Sequence, residues 1–186
     1  MRKKMEQVQH LIDRSRHDFV RKGTIANKDL RALRSALSGH YLSKMQRADA
    51  LMLLAYTLGD EELLPRRFGL YDMAKKADPS SADSVNVSKA IDAFDHGVAT
   101  SEKFLKNIRH PNRLGHADKA FYWMHRLLIA KARFDWQAMS SILANIPREV
   151  KRGDLLAKDV AACRQFVRCM RQFHRKRQES KHKSNP

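Results

Sequence analysis

Apolar residues recur at intervals of three and four along most of this chain, which places them on one face of an α-helix. Glycine and proline fall between the periodic segments, where they interrupt a helical chain. Alanine and leucine together number 40, whereas valine, isoleucine and threonine number 18, and no stretch alternates convincingly between apolar and polar residues. The sequence therefore predicts an all-α protein, a compact bundle of roughly seven to nine helices.

The boundaries of these helices follow from the same periodicity. They span residues 3–22, 28–38, 43–58, 66–77, 84–96, 101–109, 117–133, 135–145 and 154–177. A chain of 186 residues suits one well-buried core and is short for two, so we predict a single domain over 1–177. The last residues, 178–186, are polar and basic and are predicted to form a disordered tail.

Two helices are apolar enough to form the centre of this domain. Their buried residues are predicted to be Leu51, Leu54, Ala55 and Leu58 in one helix and Phe121, Met124, Leu127 and Leu128 in the other.

Net charge changes this picture, because the formal total is +17 and the excess lies at the two ends of the chain. Residues 1–47 contain 12 basic and 4 acidic side chains, and residues 148–186 contain 12 and 4 again. The middle of the chain is nearly neutral, with 13 basic and 12 acidic side chains. Such a bias attracts polyanions, of which nucleic acid is the most common.

Helical spacing gathers the charge of each end into a stripe. In the last predicted helix, Arg164, Arg168, Arg171 and Arg175 fall within an arc of about 60°, and Val160, Cys163, Val167 and Met170 lie on a different arc. In the first predicted helix, Lys3, His10, Arg14, His17 and Arg21 share one face, opposite Met5, Val8, Ile12 and Phe19. Arginine pairs bidentately with phosphate oxygens, so both stripes predict phosphate contacts, which Lys176 and Arg177 extend. The alternative is that these residues only solvate an exposed face.

A weaker third stripe joins Lys119, Tyr122, Arg126 and Arg133 on the helix predicted at 117–133. Within it, Tyr122 either stacks on an unpaired base or lies at the edge of the core with its hydroxyl group in water.

The segment 28–58 resembles a helix-turn-helix, because two helices flank a short turn that contains Gly39. Its second helix opens with Ser43, Lys44, Gln46 and Arg47, residue types that contact phosphates and base edges. Lys44 and Arg47 are therefore candidate DNA contacts. An ordinary helical hairpin explains the segment equally well.

Catalytic motifs are scarce, since the chain has no phosphate-binding glycine loop, no nucleophile elbow and no strong zinc signature. We expect no metal and no cofactor. The pairs Arg34 and His40, and Arg168 and His174, each separated by five residues, resemble the Arg-x4-6-His signature of helical HEPN-type ribonucleases. That resemblance implies an arginine and a histidine acting near an RNA 2′-hydroxyl group and its phosphate.

The sequence thus predicts a non-enzymatic nucleic-acid-binding protein, regulatory or accessory, that contacts the phosphates of DNA or RNA through its basic terminal helices. Two alternatives stay open: a helical adaptor that binds an acidic protein, and a HEPN-like ribonuclease. The apolar runs are too short for a membrane span, and two cysteines six residues apart imply no disulfide framework. We therefore expect a cytoplasmic protein, with a nucleoid-associated or nuclear location as the alternative.

Overall fold

A computed structural model describes the backbone of residues 2–58, 64–147 and 154–183. The side chains of residues 2, 20, 154–159 and 177–183 lie outside this description. All regular structure in the described residues is helical, which confirms the all-α prediction. The helices are α1 (Arg2–Lys22), α2 (Asn27–Ser38), α3 (Lys44–Tyr56), α4 (Leu64–Ala77), α5 (Ala82–Phe94), α6 (Val98–Lys106), α7 (His116–Ala132), α8 (Trp136–Asn145) and α9 (Asp154–Lys183).

The predicted boundaries agree with these helices to within a few residues, with two instructive differences. Pro65 lies inside α4, which begins at Leu64 rather than at residue 66. Proline is tolerated there because the first turn of a helix leaves its backbone N–H groups unpaired anyway. At the other end of the chain, α9 continues to Lys183, beyond the predicted helix end at residue 177. The disordered tail at 178–186 stays a prediction, and its last three residues lie outside the described ones.

Contacts group the chain into two units, Met1–Lys89 and Ala90–Pro186. The single domain over 1–177 stays a prediction.

In the first unit, α3 lies at the centre, because its apolar residues from Ala50 to Ala55 are buried on every side of the helix. Ala50, Leu53 and Leu54 pack against α1 and α2 in one cluster of buried residues. Leu51 and Ala55 pack in a second cluster with α4 and the start of α5. This confirms the prediction that Leu51, Leu54 and Ala55 form a core, whereas Leu58 is only partly buried.

In the second unit, α7 contacts α6, α8 and α9. Leu127, Ile129 and Ala130 are buried on it, but Phe121, Met124 and Leu128 are only partly buried. Of the four core residues that the sequence predicted on this helix, only Leu127 is buried, so the buried face of α7 is largely a different one from the predicted face.

A strained turn links α7 to α8. Phe134 has a φ of 54°, in the left-handed region that favours glycine, and its side chain is 76% exposed. The turn is a Schellman motif, in which the Phe134 amide donates to the Lys131 carbonyl (3.0 Å) and the Asp135 amide donates to the Ala130 carbonyl (2.9 Å). Its hydrogen bonds require the left-handed residue, and an exposed phenyl ring offsets little of the strain.

We predict that Phe134→Gly raises the free energy of unfolding by about 0.5 to 1 kcal/mol, because glycine adopts this conformation without a Cβ clash. Urea denaturation followed by circular dichroism measures the change. Phe134→Ala removes the same ring but keeps the Cβ, so it serves as the control and should not stabilise the protein. Equal effects of the two substitutions would show that the strain is not significant.

Candidate nucleic-acid interface

The apolar side of α9 anchors this helix to the second unit. Val160, Cys163 and Val167 are 3%, 3% and 5% exposed, and α9 contacts both α7 and α8. Met170, which the sequence placed on the same arc, is partly buried. The predicted division of α9 into a docked face and a solvent face is therefore confirmed.

The four arginines of α9 lie together along the edge of this docked face. Arg164, Arg168, Arg171 and Arg175 are all exposed, and they line a groove of about 410 Å³ together with Val167 and Gln172 of α9 and Ser140 and Leu143 of α8. From the first arginine to the last, the helix rises about 16 Å. We name these four residues the arginine stripe.

No acidic residue interrupts the arginine stripe in the sequence of α9. No aspartate or glutamate occurs between Val160 and Lys176. Within the described part of the chain, Arg164, Arg168 and Arg175 form no ion pair. Arg171 differs, because its guanidinium group donates a hydrogen bond to the Ser140 hydroxyl group on α8. Among the described residues, three guanidinium groups of the stripe therefore have no acidic partner, and the fourth is held against the groove wall by Ser140.

Two further predicted contacts follow the stripe along α9. Lys176 is exposed, whereas the side chain of Arg177 lies outside the described residues.

The basic face of α1 belongs to the first unit. Its five predicted residues, Lys3, His10, Arg14, His17 and Arg21, are all exposed. Arg14 is held by Asp29 of α2 through two hydrogen bonds, of 3.2 Å from Nε and 2.7 Å from a terminal nitrogen. Because Asp29 is only 3% exposed, this bidentate pair fixes α1 to α2. Arg14 is therefore already neutralised, and the α1 face offers fewer free cations than its sequence indicates.

The helix-turn-helix segment uses most of its polar residues for internal contacts. Ser43 and Gln46 form a capping box at the start of α3, and Gln46 also donates to the Met5 carbonyl on α1 (2.9 Å). Arg47 donates to the carbonyls of Leu37 and Gly39 (3.0 and 2.9 Å), which closes the end of α2. Of the predicted DNA contacts here, Lys44 is exposed and Arg47 is engaged. These contacts favour the helical hairpin over a DNA-reading motif.

The third stripe on α7 lies at the edge of the core. Tyr122 is only 8% exposed, so it has no open face on which a base could stack. Arg133 donates to Glu102 (2.7 Å), an ion pair that raises the pKa of Arg133 and lowers that of Glu102. The interpretation of Tyr122 as a core-edge residue is the one that fits.

The two arginine–histidine pairs lie in different local settings. His40 lies beyond Ser38, where α2 ends, and the Arg34 side chain is on the helix. In α9, six residue steps at about 100° separate Arg168 from His174 by about 120° around the helix. The His174 ring packs on Trp136, with centroids 5.2 Å apart. The HEPN-like ribonuclease alternative stays a prediction.

The sequence did not predict that His125 of α7 is buried. His125 is 5% exposed, its ring meets Phe94 edge-on, and its Nδ1 has no hydrogen-bond partner among the described side chains and backbone. Burial lowers the pKa of His125 below its usual 6.5, against a smaller opposing effect of Asp95. Only the helical register of 125, between the buried residues at 122 and 129, could have indicated it.

Among the described side chains, no group of three or more histidine, cysteine, aspartate or glutamate residues is close enough to hold a metal ion. Within the described helices, none combines the length and the hydropathy that crossing a bilayer requires.

Comparisons with protein-family models, with curated proteins and with solved structures found no match.

The lowered pKa of His125 predicts that the stability of the protein depends on pH. Its pKa is lower in the folded protein than in the unfolded chain, so the unfolded state binds the proton more readily, and stability falls as the pH drops below about 6.5. We expect His125→Phe, which keeps the aromatic contact, to reduce this loss of stability between neutral and acidic pH. Chemical denaturation at a series of pH values measures it. Parallel curves for the two proteins would contradict the assignment.

Proposed function

We propose that the protein binds nucleic acid through phosphate contacts of the arginine stripe, as a non-enzymatic regulatory or accessory factor. One observation carries the proposal: three exposed guanidinium groups that pair with no described carboxylate line the groove between α9 and α8. Exposed arginines along one helix edge can neutralise phosphates and release their counterions. The exposed residues Lys3 and Arg21 of α1 and Lys44 of α3 supply further positive charge on the first unit, and His10 and His17 are exposed on the same face of α1.

The expected selectivity is for the nucleic-acid backbone. Phosphate contacts give affinity and orientation without reading the base sequence. The engaged residues Gln46 and Arg47, together with the buried Tyr122, leave few groups for base edges or for base stacking on these helices. We therefore expect weak sequence dependence.

The rival adaptor function uses the same charges for an acidic protein surface. A phosphate backbone presents charge at a regular repeat, as the arginine stripe does, and this regularity favours nucleic acid. An acidic protein that co-purifies after nuclease treatment and that competes with oligonucleotides would favour the adaptor.

The stripe can be tested by reversing two of its charges. We predict that Arg168→Glu combined with Arg175→Glu weakens nucleic-acid binding at least about 10-fold, because two attractive phosphate contacts become repulsive. These two residues avoid Arg171, whose substitution would also break the contact with Ser140. Fluorescence anisotropy with short labelled RNA, single-stranded DNA and duplex DNA at about 50 mM salt measures the affinity.

A matched control makes the same change in net charge at two residues outside the arginine stripe. Lys103 on α6 and Lys131 on α7 are exposed, and neither forms an ion pair with any described residue. Lys103→Glu combined with Lys131→Glu should reduce affinity much less. Equal losses in the two double variants would mean that net charge alone, rather than the stripe, determines binding. Absence of binding by the unaltered protein at low salt would overturn the proposal.

A further inference from the structure

A second groove in the second unit runs along α7, between α6 and α8, and differs in chemistry from the arginine stripe. It has a volume of about 360 Å³, at the lower end of the range for small-molecule sites. Its walls include the apolar side chains of Leu105, Ile129 and Ile142, with Tyr122 and Arg126 on the α7 side. The groove therefore combines an apolar surface with a positive charge.

Arg126 is the distinctive residue of this groove. Its guanidinium carbon lies 5.6 Å from the ring centroid of Tyr122 and 5.2 Å from that of Trp123, and one terminal nitrogen donates to the Tyr122 hydroxyl group (3.3 Å). The two rings meet edge to face, with centroids 5.3 Å apart. Among the described residues, Arg126 pairs with no carboxylate. Aromatic faces hold the cation in place but compensate its charge only weakly.

The other charges of the groove already have partners. Glu102 accepts from Arg133 (2.7 Å) and lies 3.2 Å from the Lys106 ammonium nitrogen. Asp135 caps α8 by accepting from the Ala138 amide (2.8 Å). Arg126 is consequently the one lining cation in the described structure that lacks a carboxylate partner, and it is partly buried beside apolar walls.

We propose that this groove binds a small amphipathic carboxylate, with the carboxylate on Arg126 and the apolar body against Leu105, Ile129 and Ile142. A carboxylate can accept two parallel hydrogen bonds from the guanidinium group of Arg126, whereas the phenol oxygen of Tyr122 cannot accept such a pair. The apolar body of the ligand covers the leucine and isoleucine side chains and so removes them from water. The proposal does not rest on nucleic-acid binding, because none of the arginine stripe lines this groove.

Octanoate is the probe that tests this pairing of charge and apolar surface. Isothermal titration of the full chain with octanoate should show saturable binding with a Kd of about 1 mM or tighter. Acetate, which has the charge without the body, and 1-octanol, which has the body without the charge, should each bind at least about 10-fold more weakly. Binding of octanol as tight as that of octanoate would overturn the role of Arg126.

Variants then locate the site. Arg126→Gln should weaken octanoate at least about 10-fold, Arg126→Lys should weaken it less, and Arg113→Gln, which alters an exposed arginine outside the groove, should leave it unchanged. Ala138→Leu narrows the groove without touching a charge and should also weaken octanoate, so the test does not depend on Arg126 variants folding. The double variant Arg168→Glu with Arg175→Glu should bind octanoate normally. No saturable binding, or equal affinity in all variants, would contradict the proposal.

Discussion

Burial of Val160, Cys163 and Val167 is the contact on which the candidate interface depends. These three side chains fix the rotation of α9 against α7 and α8. A guanidinium group is costly to bury without a partner, so the arginines of the same helix are placed at the edge of the docked face. The groove beside α8 follows from that single constraint, since any rotation of α9 that exposed the apolar residues would bury part of the stripe.

The basic residues of this chain fall into two groups with different consequences. Arg14, Arg47 and Arg133 contact a carboxylate or backbone carbonyls, so they contribute to the fold. Arg164 and Arg168 have no such partner within the described residues and contribute exposed charge. Net charge counts both groups equally. Only the second group adds counterion-releasing contacts when a polyanion binds, so the effective site is smaller than +17 implies.

Much of the fold could be predicted from the sequence, because helix faces repeat every three or four residues. The helix boundaries and the docked side of α9 follow from that local pattern. The local pattern does not show which helix packs on each face, because periodicity within one helix carries no information about its neighbours. For that reason the wall formed by Ser140 and Leu143 was not predicted. The pairing of Arg14 with Asp29, 15 residues apart, and the burial of Tyr122 depend on the same missing information.

The salt dependence of binding tests the central claim most directly, because it counts phosphates rather than measuring overall affinity. We expect the logarithm of the association constant on duplex DNA to fall linearly with the logarithm of salt concentration. In Arg168→Ala combined with Arg175→Ala, the slope should be shallower by about 1.8, which corresponds to two lost phosphate contacts at about 0.9 each. Parallel slopes for the variant and the unaltered protein would show that the arginine stripe does not contact phosphates.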